Sequence, residues 1–234
     1  MVCQLCQELV KNLHISLEKF LILKKRLIRN IFSKMSVQLN VEGSMLGLKN
    51  RIIAEGKNLG GGILKVDGII NHQVDAELMD QCGAALAEHF ANSGATRILT
   101  AEISGIAPAL MTAKHLNLPV VYARKTRPIT MPDTVYLTVA PSHTKGNMVE
   151  LIVSPEYLRA EEKVLIIDDF LASGATIQAL VRLAQAAGAE VCGVGTLIEK
   201  TFEGGRDSLQ YLDVPVYSLV QITSLDDGKI VFAE

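Results

Sequence analysis

Two adjacent carboxylates, Asp168 and Asp169, follow a run of four apolar residues in this chain of 234 residues. Such a run is typical of a buried strand in a parallel sheet, which would deliver both acids to its carboxyl end. A short turn of small residues comes next, and an amphipathic helix is predicted to begin at Thr176. The unpaired N–H groups of a helix N-terminus bind phosphate. Carboxylates beside a phosphate-binding turn predict a phosphorylated sugar as the ligand.

The turn lacks the marks of two common nucleotide-binding loops. A Walker-type loop needs a lysine directly before its last serine or threonine, and none stands before Thr176. The GxGxxG dinucleotide motif is also absent from the sequence. The alternative without a ligand is a strand end with solvated acids and an ordinary helix cap. The coincidence of two acids, small residues and a helix start favours a monophosphate loop flanked by acids that bind ribose hydroxyls.

Predicted strands and helices alternate from residue 45 onward. The strands are apolar along their length, so the pattern predicts an α/β fold in which helices flank a mainly parallel central sheet. The predicted helices cover residues 46–55, 75–92, 105–116 and 176–187. The predicted strands cover residues 63–66, 97–101, 118–124, 163–168 and 190–198, with a hairpin formed by 135–139 and 148–153 and an edge strand at 214–220.

Charge divides the chain into two parts. Residues 1–44 contain seven Lys or Arg against three Glu, a balance of +4, whereas residues 45–234 contain sixteen basic and twenty-two acidic residues, a balance of −6. An acidic body argues against general nucleic-acid binding, which depends on neutralising phosphates. Residues 4–33 have the spacing of an amphipathic helix, so we interpret 1–44 as a basic, non-catalytic extension of a 45–234 domain. A start at Met45, a membrane-surface helix and a partner-binding helix remain open for the extension.

The sequence predicts neither export nor membrane insertion. The apolar run at residues 20–23 ends in three basic residues, far short of the ~20 residues of a membrane span. The four cysteines do not form a disulfide framework, which is typical of a reducing compartment. We therefore expect a cytoplasmic protein without a membrane partner.

The segment from residue 164 to Thr176 resembles the phosphoribosyl-diphosphate (PRPP) signature of the type I phosphoribosyltransferases. Further pieces resemble the bacterial xanthine phosphoribosyltransferases of that family, in the family's order. These pieces are residues 64–67, 71–73, 104–109, 122–125, 198–202 and 205–207. The resemblance implies a type I phosphoribosyltransferase fold with a small N-terminal hood and a flexible lid loop at residues 126–147. It also implies transfer of the 5-phosphoribosyl group from PRPP to N9 of xanthine, with release of diphosphate.

The resemblance implies roles for individual residues as well. Asp168 and Asp169 would be the catalytic pair, contacting the ribose hydroxyls and helping to stabilise positive charge at C1. The 5-phosphate of PRPP would bind Ala172, Ser173, Gly174, Ala175 and Thr176. The diphosphate of PRPP would bind Ser104, Gly105, Arg124 and Lys125. Xanthine would bind Leu64, Asn71 and Lys200.

Magnesium and a second subunit complete what the resemblance implies. Mg²⁺ would be held mainly by PRPP and water, so no protein ligand is expected, and the family's usual state is a homodimer. Two alternatives remain open for the function: hypoxanthine or guanine as the base, and a PRPP-sensing transcription regulator on the same fold. A regulator needs a DNA-binding module before the domain, and the single predicted helix of the extension does not make a helix-turn-helix.

Overall fold

The computed structural model describes residue 43, residues 45–141 and residues 148–233, so the predictions for residues 1–42 lie outside the described part. The helices are α1 (45–55), α2 (Ala76–His89), α3 (Ile106–Leu116) and α4 (Ala175–Ala186). The strands are β1 (Lys57–Asn58), β2 (Leu64–Lys65), β3 (Arg97–Ala101), β4 (Val120–Ala123), β5 (Tyr136–Pro141), β6 (Met148–Val153), β7 (Lys163–Leu171), β8 (Glu190–Lys200), β9 (Val216–Ser224) and β10 (Val231–Phe232). Short helical turns cover Asp67–Asn71, Thr201–Glu203, Asp207–Leu212 and Asp226–Gly228. None of the described helices has the length and apolar character needed to cross a membrane.

Six strands form the central sheet, in the order β10-β9-β8-β7-β3-β4. The five strands from β9 to β4 are parallel, and β10 runs antiparallel at one edge. Strand β7, which contains the two acids, lies inside the sheet between β8 and β3. The predicted α/β fold with a mainly parallel central sheet is confirmed.

The apolar run of β7 is continuous because both faces of the sheet are covered. Leu165 and Ile167 belong to a core that contains residues of α1, α2 and α3. Val164 and Ile166 belong to a second core, which contains residues of α4 and the β5–β6 hairpin. Successive side chains of a strand point to opposite faces, so every residue of this run has an apolar partner. Burial on both sides fixes the position of β7 in the sheet and, with it, the position of the acid pair that follows the apolar run.

The predicted edge position of one strand and the predicted ends of two others are wrong. The predicted edge strand at 214–220 is β9, which lies inside the sheet because β10 pairs along its free side. Strand β10 contains only two residues, too few to show an alternating pattern. The predicted ends of β7 at 168 and β8 at 198 are also too early, since the two strands stay paired as far as Leu171 and Glu199. The additional residues extend both strands at their carboxyl ends, where the site lies.

The hood and the lid flank the carboxyl ends of the strands. In the hood, β1 and β2 pair antiparallel, and the helical turn Asp67–Asn71 follows. Asn58 anchors this hairpin by donating from Nδ2 to the carbonyls of Leu225 and Lys229, at 2.7 and 2.8 Å. Within the lid segment, β5 pairs antiparallel with β6, as the predicted hairpin requires. Residues 142–147 of the lid lie outside the described part of the chain.

Candidate active site

Asp168 and Asp169 lie in the last part of β7, where the strand projects beyond the middle of the sheet. Asp168 is only 6% exposed, and its Oδ1 accepts a hydrogen bond of 3.0 Å from the backbone N–H of Asp169. Burial raises the pKa of Asp168 well above its usual range, and the neighbouring charge of Asp169 raises it further. Lys125 acts in the opposite direction. The pair therefore combines a buried carboxyl group of raised pKa, Asp168, with a second carboxyl group that is more open to solvent.

The raised pKa of Asp168 predicts a pH-dependent gain of stability in Asp168→Asn. A raised pKa in the folded state adds stability below the unfolded value of 3.8, and this contribution is lost as the pH rises through the folded pKa. Because the variant lacks that loss, its Tm should exceed that of the unaltered protein by a margin that grows as the pH rises from 3.8 toward the folded pKa of Asp168. Thermal melts across this range measure the margin, with the exposed Asp227→Asn as control. A margin that does not change with pH would contradict the prediction. Turnover should fall in Asp168→Asn and stay unchanged in the Asp227→Asn control.

The small-residue turn after β7, residues 172–176, is predicted from the sequence to bind phosphate and is therefore named the phosphate loop. Helix α4 begins inside this loop at Ala175, and Gly174 precedes it in the left-handed region with φ +81°. No side chain caps the first turn of α4, so its N–H groups remain available to an anion, as the sequence predicted. The loop thus has the backbone geometry of a monophosphate site.

A cavity of about 580 Å³ joins the phosphate loop to the acid pair and the hood. Its volume lies in the range of small-molecule sites. The structure brings together in this cavity ten of the residues singled out from the sequence: Leu64, Asn71, Asp168, Asp169, Ala172, Ser173, Gly174, Ala175, Thr176 and Lys200. The predicted base, sugar and 5-phosphate residues therefore surround one space.

A smaller cavity of about 220 Å³ lies beside the acid pair, next to the loop that connects β3 to α3. Ser104, Gly105 and Lys125 line it, as expected of residues that bind a diphosphate. Both cavities are lined by Asp168, Asp169, Thr176 and Pro141. The backbone N–H of Lys125 donates to Glu102 Oε1 at 2.6 Å, which ties the end of β4 to this loop. An extended ligand that occupies both cavities would pass the acid pair.

Arg124 is the predicted diphosphate residue that the structure leaves outside both cavities. Its backbone exchanges two hydrogen bonds of 2.9 Å with Ile152 in β6. Its guanidinium carbon lies 6.0 Å from the centre of the Tyr122 ring, and its buried Nε has no partner among the described residues. Arg124 thus links β4 to the lid hairpin, and its contact with diphosphate stays a prediction.

Lys200, the last residue of β8, is only 5% exposed. Its Nζ donates to the carbonyl of Gly62 at 2.8 Å and to Glu203 Oε1 at 3.0 Å. An ammonium group has three N–H donors, so one donor of Lys200 is left after these two bonds. Lys200 lines the cavity of about 580 Å³, where this third donor can meet a ligand carbonyl. A buried ammonium is stable only when it is paired, so the hood and Glu203 together hold Lys200 in place.

Asn71 connects the hood to the acid pair. This residue ends the helical turn of the hood, and its Nδ2 donates to Asp169 Oδ2 at 2.9 Å. Leu64 in β2 lines the same cavity. One predicted base-binding residue, Asn71, is therefore in direct contact with one of the predicted sugar-binding acids, Asp169.

Three residues that shape the site were not predicted from the sequence. Gly62 and Glu203 are the acceptors for Lys200, and Glu102 is the acceptor for the Lys125 backbone. The contact of Glu203 with Lys200 could have been predicted, since an acidic side chain three residues after a lysine can reach it in a helical turn. The partners Gly62 and Glu102 are distant in sequence from the groups they bind, and no local pattern indicates them.

Metal binding by side chains alone is not supported in the described residues. No group of three or more His, Cys, Asp or Glu is arranged there to hold a metal ion. The acid pair is the nearest candidate, since carboxylate oxygens accept hydrogen bonds from metal-bound water.

The chain is similar to a known protein family and to individual relatives. The phosphoribosyl transferase domain family matches residues 72–226. The xanthine phosphoribosyltransferase of Deinococcus deserti is 48% identical over 190 residues, which cover 81% of this chain and 98% of that protein. The xanthine phosphoribosyltransferase of Listeria innocua is 43% identical over 187 residues, covering 80% and 97%.

Solved structures resemble the fold in the same way. The adenine phosphoribosyltransferase of Rhodothermus marinus superposes with a TM-score of 0.63 at 27% identity, covering 77% of this chain and 99% of that one. The adenine phosphoribosyltransferase of Saccharomyces cerevisiae has a TM-score of 0.62 at 22% identity and covers 76% and 99%. The second comparison bears on the fold alone.

The family match covers most of the sheet and all of the phosphate loop. The relatives extend the likeness to about four-fifths of the chain. The acid pair lines both of the adjoining cavities, and residues 172–176 line the larger one. The chain belongs to the phosphoribosyltransferase family.

Proposed function

We propose that the chain is a xanthine phosphoribosyltransferase, which transfers the 5-phosphoribosyl group of PRPP to N9 of xanthine and yields XMP and diphosphate, a purine-salvage reaction. The observation that supports this best is the single cavity lined by the acid pair, the phosphate loop and Lys200. The relatives named xanthine phosphoribosyltransferase, at 43% and 48% identity, support the choice of base.

The proposed reaction depends on positioning and electrostatics. The bond between C1 of the ribose and the diphosphate oxygen breaks while N9 of the base approaches C1, so C1 becomes positively charged. Asp168 and Asp169 accept hydrogen bonds from the ribose hydroxyls and stabilise that charge. The phosphate loop holds the 5-phosphate at one end, and Ser104, Gly105 and Lys125 hold the diphosphate at the other. The ribose is thereby kept in line for attack.

Recognition of the purine is assigned to the hood and to the end of β8. The third N–H of Lys200 donates to the 6-oxo group of the base, because its other two donors are used by Gly62 and Glu203. The amide of Asn71 can both donate and accept, which suits a ring with carbonyl and N–H groups. Leu64 covers the ring with apolar surface. Hypoxanthine and guanine also have a 6-oxo group, so they are the competing bases.

Magnesium is proposed to enter with PRPP. When bound to the diphosphate, Mg²⁺ acts as a Lewis acid that stabilises the leaving oxygens. The described residues fit an ion that is carried by its substrate, since the acid pair lines the smaller cavity and no side-chain cluster would hold the ion alone.

Diphosphate release from PRPP and Mg²⁺ in the presence of xanthine, hypoxanthine or guanine tests the proposal. We expect the highest kcat/KM with xanthine. A higher value with hypoxanthine or guanine would overturn the choice of base but keep the reaction. Absence of diphosphate release together with a shifted DNA probe would instead support a PRPP-sensing regulator.

The remaining proposals concern the state of the protein in the cell. A homodimer in the cytoplasm, without a nucleic-acid or membrane partner, follows from the family and from the acidic balance of residues 45–234. Sedimentation of the purified chain tests the dimer, and a monomer at micromolar concentration would contradict it.

Removal of residues 1–44 should leave turnover unchanged. The two relatives align over 187 to 190 residues of this 234-residue chain, which supports a catalytic domain that does not need the extension. The measurement is kcat/KM for PRPP in the full chain and in the 45–234 variant. Collapse of activity, or precipitation of the shortened chain, would show that the extension contributes to the fold.

A further inference from the structure

The segment that follows β8, residues 204–212, packs behind the phosphate loop and has no role in the reaction as described so far. We propose that Arg206 is a positioning residue: its ion pair with Glu199 holds the backbone of Gly205 to Ser208 against the phosphate loop and so sets where the 5-phosphate binds. The proposal rests on the assignment of residues 172–176 to that phosphate. The loop is then held in place twice: by α4, which begins within it, and by a segment that is distant in sequence.

Several hydrogen bonds hold the ion pair in place. Arg206 donates from Nε to Glu199 Oε1 at 2.8 Å and from Nη2 to Oε2 at 2.5 Å, which is a bidentate pair. Its Nη1 donates to the carbonyl of Val216 at 2.6 Å, which binds it to β9. Glu199 is 1% exposed, and Gln221 also donates to its Oε2 at 3.2 Å. Because a buried carboxylate is costly without its partners, Arg206 has little freedom to move.

The backbone beside Arg206 touches the phosphate loop with no space between them. A Cβ added to Gly205 would collide with the carbonyl oxygen of Ala172 and would lie 2.9 Å from the nitrogen of Gly174. A Cβ added to Gly174 would lie 2.5 Å from Ser208 Oγ and 3.1 Å from the carbonyl oxygen of Gly205. Two backbones at this distance cannot shift independently. The location of Gly205 therefore determines the location of the loop.

Ser208 closes the arrangement. Its hydroxyl donates to the carbonyl of Gly205 at 2.7 Å, and its carbonyl accepts from Gln178 Nε2 of α4 at 3.3 Å. The chain from Arg206 to Ser208 is thus attached to β8 and β9 on one side and to α4 on the other. A displacement at Arg206 would reach the amides of the phosphate loop through one peptide unit.

The experiment compares two partial ligands on the full chain: ribose 5-phosphate, which needs the phosphate loop, and magnesium diphosphate, which needs the smaller cavity. In Arg206→Met we expect Kd for ribose 5-phosphate and KM for PRPP to rise by about tenfold or more, since misplacement of a binding group is costly. Kd for magnesium diphosphate should change by less than about twofold. Arg206→Lys keeps the charge without the bidentate fork and should fall between the two proteins.

The control is another Arg–Glu pair, at the amino end of a strand and away from the phosphate loop. Arg97, the first residue of β3, binds Glu162 Oε1 through Nε at 2.6 Å and through Nη2 at 2.5 Å. Arg97→Met should leave both Kd values unchanged. Equal losses for the two ligands in Arg206→Met, or no loss for either, would overturn the positioning role, and so would a selective loss in Arg97→Met.

The outcome can be separated from the proposed function. Neither Kd measurement contains a purine, so a wrong choice of base does not affect the comparison of the two Kd values. Failure of the unaltered protein to bind ribose 5-phosphate would refute the assignment of the phosphate loop itself. If Arg206→Met does not fold, Ser208→Ala tests the same link without the ion pair: it should weaken ribose 5-phosphate more than magnesium diphosphate, and an equal effect on both would contradict the proposal.

Discussion

Gly105→Ala should lower kcat/KM for PRPP by about 100-fold or more, because small misplacements of reacting groups have effects of this size. Gly105 follows Ser104 in the loop that lines the smaller cavity, and α3 begins at the next residue. A Cβ at this position would lie 2.5 Å from Asp168 Oδ1 and would collide with Thr100 Oγ1. Either the loop or the catalytic carboxylate must therefore move.

The collision cannot be relieved cheaply. Thr100 and Asp168 are both buried, and neither is the far end of a flexible chain. Overpacking of this kind costs about 1–3 kcal/mol of stability, so the variant should still fold. The loss of activity should accordingly exceed what the fall in Tm explains.

Gly47→Ala is the matched control for this substitution. A Cβ on Gly47, in α1, would meet side-chain atoms only at 3.8 Å, which is ordinary contact. Its kcat/KM should stay close to that of the unaltered protein. Activity of Gly105→Ala within about threefold of that control would show that the diphosphate loop tolerates a methyl group and that its contact with Asp168 does not matter for turnover.

Lys200→Ala should raise KM for xanthine by about 10- to 100-fold, the range expected when a hydrogen bond from a charged donor is lost. Affinity for PRPP should change little, since the phosphate loop and the smaller cavity lie on other elements. The substitution also removes the donor to the Gly62 carbonyl, so the hood loses a contact and Tm should fall. Steady-state kinetics with each substrate varied in turn separates the two affinities.

Lys114→Ala is a fair control for the loss of a positive charge. Lys114 in α3 pairs with Asp80 at 2.9 Å on the exposed surface, so its removal should affect neither substrate. Equal loss of xanthine and PRPP affinity in Lys200→Ala would contradict the base-binding role and would point to collapse of the hood instead.

The part of the site predicted best from the sequence is the part that is contiguous. The acid pair, the small-residue turn and the start of α4 follow one another within nine residues. A buried strand delivers groups to its carboxyl end and a helix N-terminus exposes its N–H groups, wherever the rest of the chain lies. The phosphate loop could therefore be recognised before any tertiary contact was known.

The order of the sheet and the ends of its strands could not be predicted as well. Strand β10 has two residues and no pattern of its own, and it forms only because β9 offers an unpaired edge. Strands β7 and β8 stay paired beyond their apolar runs, because backbone hydrogen bonds between neighbours do not depend on side-chain polarity. Arg124 ends a predicted strand beside Lys125, yet of these two residues only Lys125 lines either of the two cavities, and no local pattern distinguishes them.

The α/β class, the acid pair and the small-residue turn could be predicted from local sequence, because each depends on periodicity or on neighbouring residues. The contacts between distant groups depend on tertiary structure: Gly62 with Lys200, Asn71 with Asp169, and Glu199 with Arg206 behind the phosphate loop. These contacts depend on strand order, on the placement of the hood and on which face of β8 each side chain occupies. Local patterns do not encode such pairings, since they arise from how the elements pack and from the need of every buried charge for a partner.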